Sequence, residues 1–169
     1  MKTQKITLLG VMLALTVVLS IAESMFPAVA FLPPGVKIGL SNVVIMYAVF
    51  FIGKKEAFFL AFLKSVFVLS TRSVTAFILS LSGGILSIIV IIILMYTIKK
   101  ISYIILSVFG AVFHNIGQIT SLSLILKQNY IFYYIPILII SGVIMGCITG
   151  MLLKAVMPAL YYINKKNDN

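Results

Sequence analysis

Six apolar segments dominate the sequence and limit the folds that it can adopt. They occupy roughly 6–26, 38–53, 57–71, 74–98, 101–126 and 132–157, and charges, prolines or polar turns separate them. A helix that crosses a bilayer needs about 20 predominantly apolar residues, and within lipid a helix satisfies its own backbone hydrogen bonds. The pattern therefore predicts an all-α integral membrane protein, a bundle of about six transmembrane helices. We expect a single domain over 1–169, with a polar tail at 163–169.

The composition favours a membrane protein over a soluble one. Hydrophobic residues make up 62% of the 169 residues and charged residues 9%, whereas soluble domains are about half apolar and about a quarter charged. The formal net charge of +10 would suggest a nucleic-acid partner for a soluble protein. Here the basic residues mostly flank apolar segments, so the expected partner is the lipid bilayer and no nucleic-acid partner is expected.

The distribution of basic residues predicts the orientation of the chain, because cytoplasmic loops carry an excess of lysine and arginine. With the amino terminus in the cytoplasm, eight lysines lie on that side and three basic residues on the other. The cytoplasmic set is Lys2, Lys5, Lys54, Lys55, Lys99, Lys100, Lys165 and Lys166, and the outward set is Lys37, Arg72 and Lys127. The sequence thus predicts a multi-pass protein of a prokaryotic plasma membrane with both termini cytoplasmic.

Two polar interruptions leave the number of spans open at five or six. Residues 70–73 and 80–84 interrupt the third and fourth segments with serine, threonine, arginine and glycine. Such interruptions are compatible with a broken helix or with a re-entrant turn buried in protein.

A histidine and two carboxamides lie in the middle of the fifth segment. His114 and Gln118 are four residues apart and share one face of a helix, with Asn115 beside them. Gly110 and Gly117 allow another backbone or a ligand to approach closely. This cluster predicts a buried binding site whose side chains both donate and accept hydrogen bonds. The alternative is that these side chains only link helices to one another.

Two basic residues of the third segment are further candidates for substrate binding. Lys64 lies within the apolar segment, where an amine is costly unless it faces a polar cavity, snorkels to the surface or pairs with an acid such as Glu23. Arg72 lies at the outer end, where it either binds a carboxylate or phosphate or marks the interface. Both residues favour an anionic ligand.

The loop before the second segment carries Pro33–Asn42, with paired prolines and two glycines, and we expect it to form a structured lid. Ser41 and Asn42 are positioned to cap the following helix, whose amino terminus would favour an anionic group beside Lys37. An ordinary capped turn is the equal alternative.

Small residues recur at every fourth position in two segments. Gly142, Gly146 and Gly150 in the last segment predict close packing against another helix, as do Gly10 and Ala14 in the first. For Gly10 and Ala14, contact with a helix of a partner protein is the second possibility.

The sequence lacks the motifs of common catalytic sites. There is no Walker loop, HExxH or CxxC motif, and the acids are Glu23, Glu56 and Asp168. Magnesium-dependent diphosphate chemistry needs clustered carboxylates. We therefore expect no enzyme activity, cofactor or metal site in this chain.

Four segments, taken in order, resemble the Gx transporter family, which is also known as heptaprenyl diphosphate synthase component I. They are 34–42, 77–87, 111–118 and 133–150. The resemblance implies a fold similar to the S-components of energy-coupling factor transporters, with six helices and a ligand pocket near the outer face. The residues carried over are Lys37 and Asn42 in the loop, Gly83 and Gly84 in the fourth helix, and His114, Asn115 and Gln118 in the fifth.

Two functions follow as hypotheses. The first is a substrate-binding subunit of an uptake transporter, with a ligand held by the candidate residues and a transmembrane coupling subunit with ATPases as partner; the resemblance implies that the first helix contacts this subunit. The second is a non-catalytic membrane component associated with a soluble prenyl diphosphate synthase in isoprenoid-quinone biosynthesis.

Overall fold

The computed structural model describes residues 2–25, 40–98 and 101–167, and within them the side chains of 6–23, 40–98 and 101–155. These parts are helical, with no strand among them, which confirms the all-α class. The helices are α1 (Lys2–Met25), α2 (Asn42–Tyr47), α3 (Lys54–Thr71), α4 (Val74–Thr97), α5 (Tyr103–Leu126) and α6 (Ile135–Asn167). A π-helical turn, Ala48–Ile52, continues α2, and a 3-10 helix, Asn129–Tyr134, precedes α6.

Four helical segments are long and apolar enough to cross a membrane. They are Ile6–Glu23, Val74–Thr97, Tyr103–Leu126 and Asn129–Ala155. The apolar stretch Asn42–Ile52 is shorter; its 11 residues extend about 16 Å as a helix, roughly half the thickness of a bilayer core. Helix α3 has 18 residues but includes four charged side chains. The protein is thus a membrane-type helical bundle in which α2 and α3 are the least lipid-like members.

Local interactions define the helix ends. Gly53 has φ 148°, a conformation that glycine adopts readily, and an added Cβ would collide with the carboxylate of Glu56. At the start of α4 the Ser73 hydroxyl accepts a hydrogen bond from the backbone N–H of Ala76 at 3.1 Å. Helix α5 ends at Lys127, which is left-handed with φ 52°. Gly53 alone connects the π-helical turn after α2 to α3, and Arg72 and Ser73 connect α3 to α4.

The serine-rich interruptions do not break the helices internally. The chain turns at Arg72 and Ser73, between α3 and α4, and α4 continues through residues 80–84 without a break. Ser82 donates to the carbonyl of Leu79 in its own helix and to that of Gly117 in α5. The broken-helix alternative for 80–84 is therefore wrong, because these polar groups find partners within and between continuous helices.

Glycines bring α4, α5 and α6 into close contact. A Cβ on Gly117 would lie 2.9 Å from the Cα of Gly83. On α6, a Cβ on Gly142 would lie 3.0 Å from the Cα of Val112, and one on Gly150 would lie 2.6 Å from the Cα of Ile104. Side chains at these positions would separate the helices, so the close packing predicted for the last segment is confirmed.

Apolar side chains form two separate clusters. One is built from α2, its π-helical turn, α3, α4 and α5 and contains Leu60, Ile88, Ile91 and Leu106. The other contains Leu79, Ile119, Leu122, Ile131 and Leu138. Along α5, Leu106 belongs to the first cluster and Ile119 to the second, so the segment 114–118 lies between them. The apolar core is thus interrupted at the level of the polar side chains of α5.

Helix α1 turns polar side chains towards the bundle. Its buried residues are Thr16, Ser20 and Glu23, whereas residues such as Val11 and Val18 are exposed. The helix packs against α2 and α3. An apolar exposed face is what lipid requires, so α1 has the inverse of the polarity expected for a helix of a soluble protein.

Candidate functional site

Lys64 lies inside the bundle and is held by a residue of α2. Its side chain is 4% exposed, and Nζ donates a hydrogen bond of 2.7 Å to Oδ1 of Asn42. Asn42 is itself buried at the start of α2. The snorkelling alternative for Lys64 is therefore wrong, because its ammonium group lies in the interior beside an amide oxygen.

His114 and Gln118 face α4 from one side of α5. Both are 2% exposed, and Nε2 of Gln118 lies 3.2 Å from Nε2 of His114. A Cβ on Gly83 would lie 2.9 Å from Cε1 of His114 and 2.9 Å from Cγ of Gln118. The absence of a side chain at Gly83 therefore makes room for the imidazole between the two helices.

Helix α4 connects the Lys64 pair with His114. A Cβ on Gly84 would lie 3.5 Å from the Cβ of Ala61, about one turn before Lys64 on α3, and the neighbouring Gly83 faces His114. Helix α2 also packs against α5 and α6 as well as α3. The structure thus brings four of the predicted site residues together in one region of the bundle, namely Asn42, Lys64, His114 and Gln118.

Asn115 points to a different neighbour. Its Nδ2 donates to the backbone carbonyl of Leu138 at 2.9 Å and lies 3.4 Å from the hydroxyl of Ser141, both on α6. Because Asn115 follows His114 by one residue, its side chain is rotated by about 100° around α5. Asn115 therefore links α5 to α6 through its amide nitrogen, and its Oδ1 has no hydrogen-bond partner among the described residues.

Ser41 occupies the cap position of α2 but does not cap it. Its side chain makes no cap hydrogen bond; the hydroxyl is fully buried and has no partner in the described parts of the chain. Asn42 uses its side chain for Lys64. The predicted capping of this helix by Ser41 and Asn42 is therefore wrong, because both side chains turn into the interior.

We define the polar cluster as Ser41, Asn42, Lys64, His114 and Gln118. Three of its buried atoms have no hydrogen-bond partner within the described residues: Ser41 Oγ, His114 Nδ1 and Gln118 Oε1. Leaving a buried polar group unsatisfied costs about 1–3 kcal/mol. The cluster therefore has unused hydrogen-bonding capacity next to a cationic side chain, which is the arrangement expected of a binding site.

The remaining predicted site residues lie elsewhere. Arg72 is exposed at the turn between α3 and α4, so the structure does not bring it into the polar cluster. Lys37 and most of the predicted lid lie outside the described residues. Gly10 and Ala14 are exposed on α1, and a Cβ on Gly10 would have nothing within 4 Å.

Further buried polar residues were not singled out by the sequence analysis. Thr16 and Ser20 lie on the buried face of α1 with Glu23, and Ser65 of α3 donates to Ser80 of α4 at 3.1 Å. The signal for α1 is the spacing of four and then three residues, which places all three side chains on one helix face. Among the described residues, no group of three or more His, Cys, Asp or Glu side chains is placed to hold a metal ion.

Comparison with known proteins identifies the family. No curated protein and no solved structure matches the chain. The family model described as heptaprenyl diphosphate synthase component I matches residues 12–156, which are 145 of the 169 residues. The match runs from α1 into α6 and includes every residue of the polar cluster. By this match over most of its length, the chain belongs to the heptaprenyl diphosphate synthase component I family.

Proposed function

We propose that this protein is the membrane-embedded, substrate-binding subunit of an uptake transporter, similar to the S-components of energy-coupling factor transporters. Its substrate is a small metabolite, with an anion favoured, and the chain itself catalyses no reaction. In this proposal the protein spans the plasma membrane of a prokaryote with both termini in the cytoplasm. The side of the bundle opposite the turn at Gly53 then faces outward.

The observation that carries the proposal is the polar cluster inside an apolar bundle. Polar and ionisable side chains within membrane helices are expensive and mark binding sites or translocation pathways by default. Here the ammonium of Lys64 on α3 and the imidazole and carboxamide of His114 and Gln118 on α5 are all buried, and both helices pack against α4 at Gly83 and Gly84. His114 Nδ1 and Gln118 Oε1 have no hydrogen-bond partner among the described residues, and these atoms are the ones that the proposal assigns to ligand binding.

Energy for uptake is assigned to partner proteins. The sequence has no nucleotide-binding loop, so the proposal requires ATPases and a transmembrane coupling subunit. The exposed small residues Gly10 and Ala14 on α1 are the proposed contact with the coupling subunit. A flat surface of small residues permits close approach of a partner helix.

Mass spectrometry of small molecules retained by gently purified protein tests the proposal. We expect the wild-type protein to retain a metabolite in stoichiometric amount and the His114→Ala variant to lose it. Thr120→Ala is the matched control, since Thr120 lies on the same helix, is exposed and bonds only to its own backbone. Equal retention by wild type and His114→Ala, with both proteins folded, would contradict the site assignment.

The family description favours a second function. A chain in a family described as a synthase component is also a candidate for a non-catalytic membrane subunit beside a soluble prenyl diphosphate synthase. In that case the carboxylates that bind the metal and the diphosphates would come from the soluble enzyme, since this chain has three acids in all.

Copurification from native membranes separates the two functions. A coupling subunit with ATPases in the purified complex supports the transporter subunit. A prenyl diphosphate synthase as the main stoichiometric partner, together with no retained metabolite, supports the second function and contradicts the first.

A further inference from the structure

We infer that the 3-10 helix Asn129–Tyr134 is a membrane-surface anchor, which rests in the headgroup layer of the bilayer where α5 is joined to α6. Its exposed aromatic side chains contact the headgroups and the first acyl carbons, and its buried side holds it against the bundle. The anchor thereby sets the depth at which α5, α6 and the polar cluster lie in the membrane. The inference goes beyond the proposed function and does not depend on it.

Contacts on its inner side fix this 3-10 helix to the bundle. Ile131 is 3% exposed and belongs to the same apolar cluster as Leu122 of α5 and Leu138 of α6. Just before it, the hydroxyl of Ser123 donates to the backbone carbonyl of Gln128 at 3.1 Å, and the backbone N–H of Gln128 donates to the carbonyl of Ser123 at 3.3 Å. The 3-10 helix therefore has a defined position against α5 and α6.

Four aromatic side chains of this segment face away from the bundle, and we define them as the aromatic patch. They are all exposed, Tyr133 most of all at 86%, and the patch consists of Tyr130, Phe132, Tyr133 and Tyr134. Tyrosine combines an apolar ring with a hydroxyl and is therefore enriched where acyl chains meet water. Three of the four rings are tyrosines, and the segment Asn129–Tyr134 contains no charged residue. The patch thus has the chemistry of a surface that faces lipid headgroups.

The bilayer is the partner of the patch because the patch continues the lipid-facing surface of both neighbouring helices. Leu124 and Leu126 are exposed at the end of α5, and Ile137 and Ile140 are exposed at the start of α6. In a membrane bundle, exposed aliphatic side chains of this kind favour contact with acyl chains. Between the two aliphatic surfaces the chain presents the exposed Lys127 and then the aromatic patch. Aliphatic, aromatic and basic side chains succeed one another in this way where a helix leaves the bilayer.

The anchor has a consequence for the depth of the polar cluster. Gln118 lies nine residues before Lys127, on the continuous helix α5, which is about 14 Å along its axis. Half of a bilayer's hydrocarbon core measures about 15 Å. With the aromatic patch at the membrane surface, Gln118 lies near the midplane. Lys64 lies at a similar depth, since it is eight residues, or about 12 Å, before the end of α3 at Arg72.

A tryptophan placed in the patch measures its surroundings directly, because the sequence contains no tryptophan. The full-length Tyr133→Trp variant is reconstituted into phosphatidylcholine vesicles and compared with Ile140→Trp, a control position that is 61% exposed further along α6. Fluorescence is quenched by iodide in the water or by lipids brominated at shallow or deep acyl carbons. We expect shallow bromines to quench Tyr133→Trp most strongly among the lipids and iodide to quench it in part. Ile140→Trp should be quenched most by deep bromines and not by iodide.

A second set of variants tests whether the patch sets the depth. In the Ile140→Trp protein, Tyr130→Ser together with Tyr133→Ser removes two exposed rings. The ratio of deep to shallow quenching should then fall, because the bundle is no longer held at one level. Replacing the same two residues with phenylalanine keeps the rings and is the matched control, in which the ratio should fall less. An equal ratio in the parent, serine and phenylalanine proteins would show that the patch does not set the depth and would overturn the inference.

The environment of Tyr133→Trp can also contradict the inference. Strong quenching by iodide with none by brominated lipid would place the patch in water. Strongest quenching by deep bromines would place it in the hydrocarbon core. Protection from both quenchers would mean that a protein, either a partner or a second copy of this chain, covers the patch instead of lipid.

Discussion

Lys64 and Asn42 lie at equal distances along the chain from Gly53, 11 residues on either side, and their side chains meet in a 2.7 Å hydrogen bond. Gly53 is the turn between α2 and α3. Residues equidistant from the turn of an antiparallel helix pair lie at the same level of the bundle, because each helix residue rises by about 1.5 Å. The bond therefore fixes the start of α2 at the depth of Lys64.

Replacing Asn42 tests the strength of this bond. We expect Asn42→Ala to lower the free energy of unfolding by about 1.5–3 kcal/mol, since it removes an acceptor from a buried charged donor. Asn42→Asp should retain most of the stability because a carboxylate also accepts from Lys64. The measurement is unfolding of purified protein by denaturing detergent. Ser70→Ala, an exposed position, is the control, and a loss in Asn42→Ala no larger than in this control would contradict the role assigned to Asn42.

Alanine substitutions at the neighbouring residues Gly83 and Gly84 form a test and a matched control for the packing of α4 against α5. A Cβ at Gly83 would lie 2.8 Å from the carbonyl oxygen of His114, and overpacking of this kind costs about 1–3 kcal/mol. A Cβ at Gly84 would make an ordinary contact of 3.5 Å with Ala61. We therefore expect Gly83→Ala to lower the unfolding temperature and displace the imidazole, and Gly84→Ala to leave both unchanged. Similar effects of the two substitutions would show that Gly83 does not position His114.

Asn115 should matter for stability through α6. Asn115→Ala removes the hydrogen bond to the carbonyl of Leu138, and interhelical bonds of this type in membrane proteins contribute about 0.6–2 kcal/mol. We expect a loss of this size in detergent unfolding, relative to Thr120→Ala on the same helix. An unchanged midpoint would mean that this hydrogen bond contributes nothing measurable to the packing of α5 against α6.

Substitutions at Gly10 test the contact of α1 with a partner protein without disturbing the fold of the isolated chain. Because a Cβ there would meet nothing within 4 Å, Gly10→Ala should change the stability of the isolated chain by less than about 0.5 kcal/mol. The larger substitution Gly10→Leu should also leave the chain folded but reduce its copurification with the proposed coupling subunit. Undiminished copurification would indicate that the partner contacts another surface.

The sequence was sufficient to predict the helices and most members of the polar cluster. Apolar segments and polar interruptions placed Lys64, His114 and Gln118 inside the membrane, and the structure buries all three. It was insufficient to predict their partners, because contacts between helices depend on the exact residue at which the chain turns. Once the turn at Gly53 is known, counting residues places Lys64 and Asn42 at about the same level of the bundle.

The direction in which each side chain points explains the other differences between the sequence-based predictions and the structure. Ser41 satisfies the sequence pattern of a helix cap, but its hydroxyl is buried in the bundle and makes no cap hydrogen bond. Asn115 is next to His114 in sequence yet contacts α6, since neighbours on a helix diverge by about 100°. Arg72 is exposed because the chain turns there. Patterns in one segment do not specify which neighbouring helix each face will meet.

The inverted polarity of α1 has a consequence for how the protein is assembled in the membrane. Before α2 and α3 are synthesised, Thr16, Ser20 and Glu23 have no bundle to face, and lipid is a poor environment for them. The helix is therefore stable in its final position only after α2 and α3 have been inserted beside it. Since α1 is made before α2 and α3, its final packing is a late step in the biogenesis of this protein.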